Sequence, residues 1–338
     1  MRKASLVTYS NKESDFFKKK NKGDIEDWNI CWRHLRNEMA SAQWDLNTID
    51  KNPIASSEVV FFIDVPPKKY SKQSSQKWFL FLIEPKCIYG PNYDRDNHTY
   101  FDVVFTFDNS LVDNIKYFHL SLAHDLTFRA SDKKYYRSKF VNLVAGFKKS
   151  YYKYELYSKR YEIIKWYSLN KPELLDHYGY GWPKSLRNVF IKNGLESRLP
   201  GLAISLFDKI LKKNNVYRGP VKFKRETLKN YKFTYVIENS YDQLGYISEK
   251  IFDALCSFSI PIYLGAPNIN YLIPDNCFID MRDFTSVEEL NNYIISLNEE
   301  ELNNYRNCIH EFLQSVQSHK FTSKYFSQRV LSYISKVN

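Results

Sequence analysis

A chain of 338 residues is long enough for two domains of ordinary size, each with its own buried core. Hydrophobic residues make up 43% of the chain and aromatic residues 17%, which excludes a largely disordered protein. The 49 Lys and Arg against 38 Asp and Glu give a net charge of +11, which favours anionic partners such as nucleotide phosphates, acidic glycans or nucleic acid.

The sequence has no apolar segment of the roughly 20 residues that a membrane-spanning helix needs, and residues 1–14 lack the apolar run of a signal peptide. We therefore expect a cytoplasmic protein whose basic surface would help it approach the anionic inner face of a membrane. Its five cysteines are scattered and form no Cys-X-X-Cys pair, which predicts free thiols rather than a disulfide framework or a zinc site.

The first third of the chain alternates short apolar runs with a helical pattern. An amphipathic helix is predicted over residues 28–42. Strands are predicted over residues 4–9, 59–64, 78–83 and 101–107. Runs that are apolar on both faces are typical of parallel strands in βαβ units. We therefore expect a first Rossmann-like lobe over residues 1–146, ending near Gly146.

A second lobe is predicted over residues 147–305. It opens with a helix at residues 151–169, a glycine-bearing turn at 176–182 and a variable stretch at 183–215. Strands at 231–237 and 260–264 then flank a helix at 248–256, and this order places a ligand at strand ends and a helix N-terminus. Further helices are predicted over residues 290–297, 299–316 and 321–337, the last in a helical tail at 306–338.

Polar side chains at the start of the 248–256 helix suit a nucleotide diphosphate. Glu249 can accept hydrogen bonds from ribose hydroxyls, while Lys250 and the N–H groups of the helix can neutralise a diphosphate. The same residues also suit an ordinary helix start with a solvent-facing lysine, so their chemistry alone leaves both interpretations open.

Residues 231–284 closely resemble the signature block of the α-1,3-fucosyltransferases of glycosyltransferase family ten. The resemblance lies in three ordered motifs, which are Ile237-Glu238-Asn239, Tyr246-Ile247-Ser248-Glu249-Lys250, and Ile260-Pro261-Ile262 with Gly265-Ala266-Pro267. The family commonly has Thr where this chain has Ser248, a change that keeps the hydroxyl. Weaker resemblance runs from about Trp78 to the tail, whereas the first 60 residues match no family block.

The resemblance implies an α/β protein of the GT-B architecture, with two Rossmann-like lobes, the acceptor mainly in the first and the donor in the second. It implies an inverting transfer of L-fucose from GDP-β-L-fucose to an acceptor glycan. The expected product has an α-1,3 linkage to GlcNAc or a related sugar of a surface polysaccharide, lipopolysaccharide or glycosylated protein. GDP-fucose and the glycan are then the partners, and no nucleic acid is expected.

The resemblance also assigns roles to individual residues. Glu84, which follows an apolar strand, corresponds to the catalytic carboxylate and is our candidate general base. Arg160, in Leu156-Tyr157-Ser158-Lys159-Arg160, corresponds to a phosphate-binding arginine, for which a surface helix charge is the alternative. The candidate donor-binding residues are Arg160, Glu238, Asn239, Tyr246, Glu249 and Lys250.

Three alternatives to this assignment stay open. Asp94-Arg95-Asp96 has the Asp-X-Asp form that holds Mn²⁺ or Mg²⁺ in the other glycosyltransferase architecture, but so short a pattern is common by chance. We therefore expect no metal and no cofactor. Another GDP-sugar could be the donor, because ribose and diphosphate contacts do not identify the hexose. A noncatalytic binder of anionic glycan or nucleic acid would explain the net charge but not the ordered block.

Overall fold

A computed structural model describes residues 1–8, 16–18, 29–182 and 215–335. These residues form two α/β lobes, each built on a fully parallel sheet, so the predicted fold class is confirmed. The variable stretch predicted at 183–215 lies outside the described residues except for Asn215. No helix in the described ranges is long and apolar enough to cross a membrane.

The first sheet has the strand order β2-β1-β3-β4-β5-β6. Its strands are β1 (Arg2–Val7), β2 (Trp44–Thr48), β3 (Val59–Ile63), β4 (Lys77–Leu82), β5 (Val103–Thr106) and β6 (Tyr117–His119). The predicted strands match β1, β3, β4 and β5, whereas β2 and β6 were not predicted. The central strand β3 is buried throughout because its sequence, VVFFI, offers an apolar side chain to each face of the sheet.

Helix α1 (Ile30–Ser41) covers one face of this sheet and lies close to the predicted helix. Its Trp32 is 1% exposed, and the ring lies 4.9 Å from that of Phe81 in β4 and 5.3 Å from that of Phe326 near the C-terminus. The core of the first lobe therefore includes residues from both ends of the chain.

The second sheet has the order β11-β10-β9-β7-β8. Its strands are β7 (Lys139–Val144), β8 (Leu175–Tyr178), β9 (Tyr231–Ile237), β10 (Ile260–Leu264) and β11 (Ile279–Asp280). The bounds predicted for β9 and β10 agree with the structure. Strand β8 overlaps the segment predicted as a turn at 176–182, and in that segment only Gly179 and Gly181, which follow the strand, have positive φ angles.

The boundary between the lobes lies before the predicted position near Gly146. Strand β7 pairs with both β8 and β9, and Val141 is in register with Phe233, so the second sheet already includes residues 139–144. Gly146 only follows the end of β7. The chain passes from the first sheet to the second between β6 and β7 because the apolar side chains of β7 belong to the second core.

Seven helices follow in the described part of the chain after β7. They are α2 (Tyr157–Asn170), α3 (Lys224–Leu228), α4 (Glu249–Cys256), α5 (Val287–Ser296), α6 (Glu299–Gln314), α7 (Val316–His319) and α8 (Ser323–Ile334). The predicted tail at 306–338 is not one unit, because residue 306 lies within α6 whereas α8 returns to the first lobe. There the Tyr333 ring of α8 lies 5.3 Å from the Phe105 ring of β5.

Candidate active site

Glu84 lies two residues beyond β4, at the carboxyl end of the first sheet, and is half-buried. No described residue hydrogen bonds with its carboxylate oxygens. Burial, and then the negative charge of Asp64, raises the pKa of the Glu84 carboxyl above its usual range, against smaller opposing effects of Lys148 and Lys250. A carboxylate with a raised pKa is a stronger proton acceptor once ionised, as a general base requires.

Lys250, at the second position of α4, is close enough to this carboxylate for its positive charge to lower the pKa of Glu84. Ser248 is the N-cap of the helix, with its side chain accepting a hydrogen bond from the Lys250 N–H. The Lys250 Nζ lies 2.8 Å from the Ser248 Oγ and 3.2 Å from the Glu238 Oε2. Although burial opposes it, the charges of Glu238 and Glu249 raise the pKa of Lys250, so a cation stands beside the helix N-terminus.

Glu238 has no exposed surface, and both carboxylate oxygens are occupied. Its Oε1 accepts from the Ser248 N–H at 2.8 Å, and its Oε2 accepts from the Ser248 hydroxyl at 2.7 Å. Gly265 leaves room for it, because a Cβ there would lie 2.5 Å from the Glu238 Cγ. Glu238 therefore holds Lys250 and the N-cap Ser248 and has no exposed surface to offer to a ligand.

Asn239 connects two other candidate residues. Its Nδ2 donates to the Tyr246 hydroxyl at 2.9 Å, and its Oδ1 accepts from the Arg160 Nη2 at 3.2 Å. Tyr246 is 3% exposed, and burial raises the pKa of its hydroxyl well above the usual range, so the phenol keeps its proton. Asn239 and Tyr246 thus present a fixed pair of polar groups at the end of β9.

Arg160 in α2 is 3% exposed and lies beneath this strand end. Its Nη2 donates to the Ile237 carbonyl at 2.7 Å and to the Glu238 carbonyl at 2.8 Å. These contacts show a guanidinium that holds the backbone of the signature block. Direct contact with a diphosphate stays a prediction.

Glu249 is half-buried at the first position of α4, with two lysines beside its carboxylate. The Lys250 Nζ lies 3.6 Å and the Lys224 Nζ 3.7 Å from its Oε1. Although burial has the opposite effect, these ammonium groups hold the pKa of Glu249 below its usual range. The ionised carboxylate can accept hydrogen bonds from hydroxyl groups. No local sequence signal assigns Lys224 to this site, because the packing of α3 against α4 brings it here.

The loop between β9 and α4 is seated against the first lobe through residues that sequence analysis missed. The Gln243 Oε1 accepts from the Lys86 N–H at 2.8 Å, two residues beyond Glu84. The rings of Phe107 and Tyr246 lie 5.4 Å apart. Polar Gln and apolar Phe carry no local signal for such a contact, which depends on how the lobes meet.

Asp94 and Asp96 have a structural use in the described chain. The Asp94 Oδ1 accepts from the Asp96 N–H at 3.1 Å and caps a 3-10 turn at Arg95–His98. Among the described residues, no group of three or more His, Cys, Asp or Glu side chains could hold a metal ion. The geometry therefore gives the Asp-X-Asp pattern a role as a turn cap.

Comparison with known proteins yields a family match to the second lobe. Residues 186–330 match the model described as "Glycosyltransferase family 10 (fucosyltransferase) C-term". An alpha-(1,4)-fucosyltransferase of Arabidopsis thaliana is 33% identical over 128 residues, which cover 38% of this chain and 29% of that protein. The alpha-(1,3)-fucosyltransferase FucT of Helicobacter pylori is 40% identical over 74 residues, covering 22% of this chain and 15% of that protein. The chain thus matches less than a third of the length of these relatives.

The similarity of fold extends further than that of sequence. A crystal structure of an alpha1,3-fucosyltransferase with GDP-fucose matches with a TM-score of 0.57 over 99% of this chain and 90% of that one, at 18% identity. At this identity the match establishes the fold alone. Together with the two parallel sheets, it confirms the GT-B architecture that the signature block implies.

Proposed function

Residues 186–330 belong to glycosyltransferase family 10, the fucosyltransferase family, and on that premise we propose that this glycosyltransferase moves L-fucose from GDP-β-L-fucose to an acceptor glycan with inversion. One observation carries the proposal. A half-buried carboxylate with a raised pKa, Glu84, stands at the end of β4 within electrostatic reach of Lys250, the cation beside the N-terminus of α4.

The reaction follows from this arrangement. Glu84 takes the proton from the attacking hydroxyl as the bond from that oxygen to C1 of fucose forms. The bond from C1 to the β-phosphate oxygen breaks, and its electron pair leaves with GDP. Lys250 and the N–H groups of α4 stabilise the charge that grows on the diphosphate. In the proposed step the attacking oxygen approaches C1 from the side opposite to the leaving diphosphate, and this in-line displacement gives inversion.

The remaining residues position the donor. The ionised Glu249 accepts from the ribose hydroxyls, while Asn239 and Tyr246 hydrogen bond with the fucose or the phosphates. Arg160 is the second cation near the diphosphate, and Glu238 acts by holding Lys250. Since side-chain cations and a helix N-terminus neutralise the diphosphate, no metal ion or cofactor is needed.

For the acceptor we propose a GlcNAc or related residue of a surface polysaccharide, lipopolysaccharide or glycosylated protein, joined through an α-1,3 linkage. The similar proteins include both alpha-(1,3)- and alpha-(1,4)-fucosyltransferases by name. The linkage is therefore to be measured on N-acetylglucosaminides that have either O3 or O4 free.

The test is release of GDP or UDP from GDP-fucose, GDP-mannose and UDP-galactose with a panel of N-acetylglucosaminides, with and without EDTA. Release from GDP-fucose alone, unchanged by EDTA, is the expected result. Preferential use of GDP-mannose would show that the donor is a GDP-sugar other than GDP-fucose. Release from no donor, with tight glycan or RNA binding, would overturn the enzymatic proposal.

A further inference from the structure

Asp64, at the end of β3, contacts the backbone of the candidate base. It is 1% exposed, and its φ of 59° lies in the left-handed region that side chains other than glycine rarely adopt. Its Oδ1 accepts from the Ile83 N–H at 2.8 Å, the Glu84 N–H at 3.1 Å and the Asn92 Nδ2 at 2.6 Å. One buried carboxylate oxygen thus holds two consecutive peptide groups, including that of Glu84.

Asn92, which has no exposed surface, holds the same segment from the other side. Its Nδ2 also donates to the Glu84 carbonyl at 3.2 Å, and its Oδ1 accepts from the Val65 N–H at 3.0 Å. The Tyr93 hydroxyl donates to the same Glu84 carbonyl at 3.3 Å. Both backbone polar groups of Glu84 are therefore held by neighbouring side chains, although Glu84 lies outside any strand or helix.

The second carboxylate oxygen of Asp64, Oδ2, is buried, and no described residue hydrogen bonds with it. Leaving a buried carboxylate oxygen unpaired destabilises a fold, and a left-handed backbone at a residue other than glycine adds strain. Such unfavourable features persist mostly where they serve a functional site.

We propose that Asp64 and Asn92 form a frame that positions Glu84 for proton transfer, an inference that rests on the proposed function. Neither residue touches the substrate in this account, so both are positioning residues. Small displacements of a reacting group lower the rate steeply, by about a hundredfold for ~1 Å. The frame prevents this because it holds the backbone of Glu84 while leaving the carboxylate free to meet the acceptor.

Asp64 also acts on the charge of the base. The leading charge effects on the pKa of Glu84 come from Asp64 and Glu249, which raise it, and from Lys148 and Lys250, which lower it. Burial raises the pKa of Asp64 as well, while its three accepted hydrogen bonds lower it. Replacing Asp64 by Asn keeps an accepting oxygen for these hydrogen bonds and removes the negative charge that the ionised Asp64 carries. The pKa of Glu84 then falls, so the base stays ionised to lower pH.

The experiment compares Asp64→Ala, Asp64→Asn and Asn92→Leu in the full chain with GDP-fucose and an N-acetylglucosaminide. Asp64→Ala is expected to lower kcat about a hundredfold, with the KM for GDP-fucose and the Kd for GDP unchanged. Asp64→Asn is expected to restore most of kcat and to shift the acidic limb of kcat/KM to lower pH. Asn92→Leu is expected to lower kcat without shifting that limb.

Asn52→Ala is the matched structural control. Asn52 is a buried amide of the same lobe, 3% exposed, whose Nδ2 donates to the Ala4 carbonyl at 3.1 Å, away from Glu84. It is expected to lower Tm and leave kcat unchanged. The proposed frame is overturned if Asn52→Ala and Asp64→Ala lower kcat in the same proportion to their loss of Tm, because the loss of activity would then reflect lost stability alone. If Asp64→Ala does not fold, the other two variants decide. The frame is then overturned if Asp64→Asn leaves the acidic limb of kcat/KM at the wild-type pH and Asn92→Leu leaves kcat unchanged.

A separate variant distinguishes failure of the frame from failure of the proposed function. Turnover at the wild-type rate in Glu84→Gln would show that Glu84 is not the general base, whatever the results for Asp64 and Asn92. Loss of turnover in Glu84→Gln together with normal kcat in both Asp64→Ala and Asn92→Leu would overturn the frame alone.

Discussion

The Lys250 Nζ lies 3.2 Å from the Oε2 of Glu238, a carboxylate with no exposed surface. The lysine side chain itself is 18% exposed, so one partner of this ion pair is fully buried while the other reaches the surface. Removing one member of a buried pair leaves an uncompensated charge, which costs about 3–5 kcal/mol of stability. The pair therefore joins the stability of the second lobe to the position of Lys250, the candidate donor-binding cation.

Lys250→Met tests both effects, which the double variant Glu238→Gln/Lys250→Met separates. We expect the single variant to lose about 3–5 kcal/mol of unfolding free energy, and the double variant to recover most of it because no buried charge is left unpaired. Both should bind GDP about 10- to 100-fold more weakly, since each lacks a charge-assisted hydrogen bond. Chemical denaturation and calorimetric titration with GDP measure the two quantities. Wild-type GDP affinity in the double variant would contradict the assignment of Lys250.

The exposed Lys148 gives a test based on pH. Its positive charge lowers the pKa of Glu84, so Lys148→Met should raise that pKa further. A general base must be ionised, and kcat/KM rises with pH through its pKa. The acidic limb of the profile should therefore move to higher pH in Lys148→Met. Lys149→Met is the control, because Lys149 is also exposed but is not among the charges with the largest effects on the pKa of Glu84. Equal shifts in the two variants would show a general charge effect instead.

Gly245 lies where the loop between β9 and α4 contacts the first lobe. Its φ is 84°, and a Cβ there would lie 2.3 Å from the carbonyl oxygen of Phe107. Gly245→Ala should destabilise the protein by more than about 1 kcal/mol and raise the KM for the donor, because both the backbone and the lobe contact must shift.

Alanine substitutions at two other glycines, measured by thermal unfolding, separate the backbone strain from the contact with the first lobe. Gly219 has a φ of 93° but open space around it, so Gly219→Ala should show the strain alone, about 1 kcal/mol. Gly90 has neither a positive φ nor a near neighbour, and Gly90→Ala should be neutral. Gly245→Ala could instead destabilise the protein no more than Gly219→Ala and leave the KM for the donor unchanged. That result would show that the contact of Gly245 with Phe107 affects neither stability nor donor binding.

The return of α8 to the first lobe predicts a large effect of Phe326. This residue is 3% exposed between Trp32 and Phe81, and deleting a buried aromatic ring costs about 3–5 kcal/mol. Phe326→Ala should therefore lower the unfolding free energy by that amount in urea. Val316→Ala, at a 91% exposed position, should change it by less than about 0.5 kcal/mol. A small loss in Phe326→Ala would mean that α8 is not part of the core.

The sequence predicts some parts of this fold well because the local pattern alone determines them. Strands β9 and β10 are continuous apolar runs between polar segments, so their bounds agree with the structure. Strand β8, LDHY, alternates apolar and polar residues at a sheet edge before two glycines, which resembles a turn. The lobe boundary was misplaced for a similar reason, because a glycine such as Gly146 does not reveal which sheet the preceding strand joins.

The local sequence pattern likewise predicts some features of the candidate site and not others. The motif places Glu249 and Lys250 at the start of a helix, and the structure has them there. The burial of Glu238 and the contacts of Arg160 with the backbone of β9 depend on packing that spacing does not encode. The ladder of β3 on β4 brings Asp64 to Glu84, although 20 residues separate them in sequence. Asn92 reaches Glu84 from the 3-10 turn at Gly90–Tyr93, and nothing in the local sequence pattern indicates that contact.

The rate of fucose transfer by Glu84→Gln, measured with GDP-fucose and an N-acetylglucosaminide beside the Kd for GDP, tests the central claim most directly. Glutamine keeps the size of the side chain but cannot take the proton, so kcat should fall by about 10²–10⁴-fold while the Kd for GDP stays at the wild-type value. A variant that turns over at the wild-type rate would contradict the account of Glu84 as the base that faces the donor across this cleft.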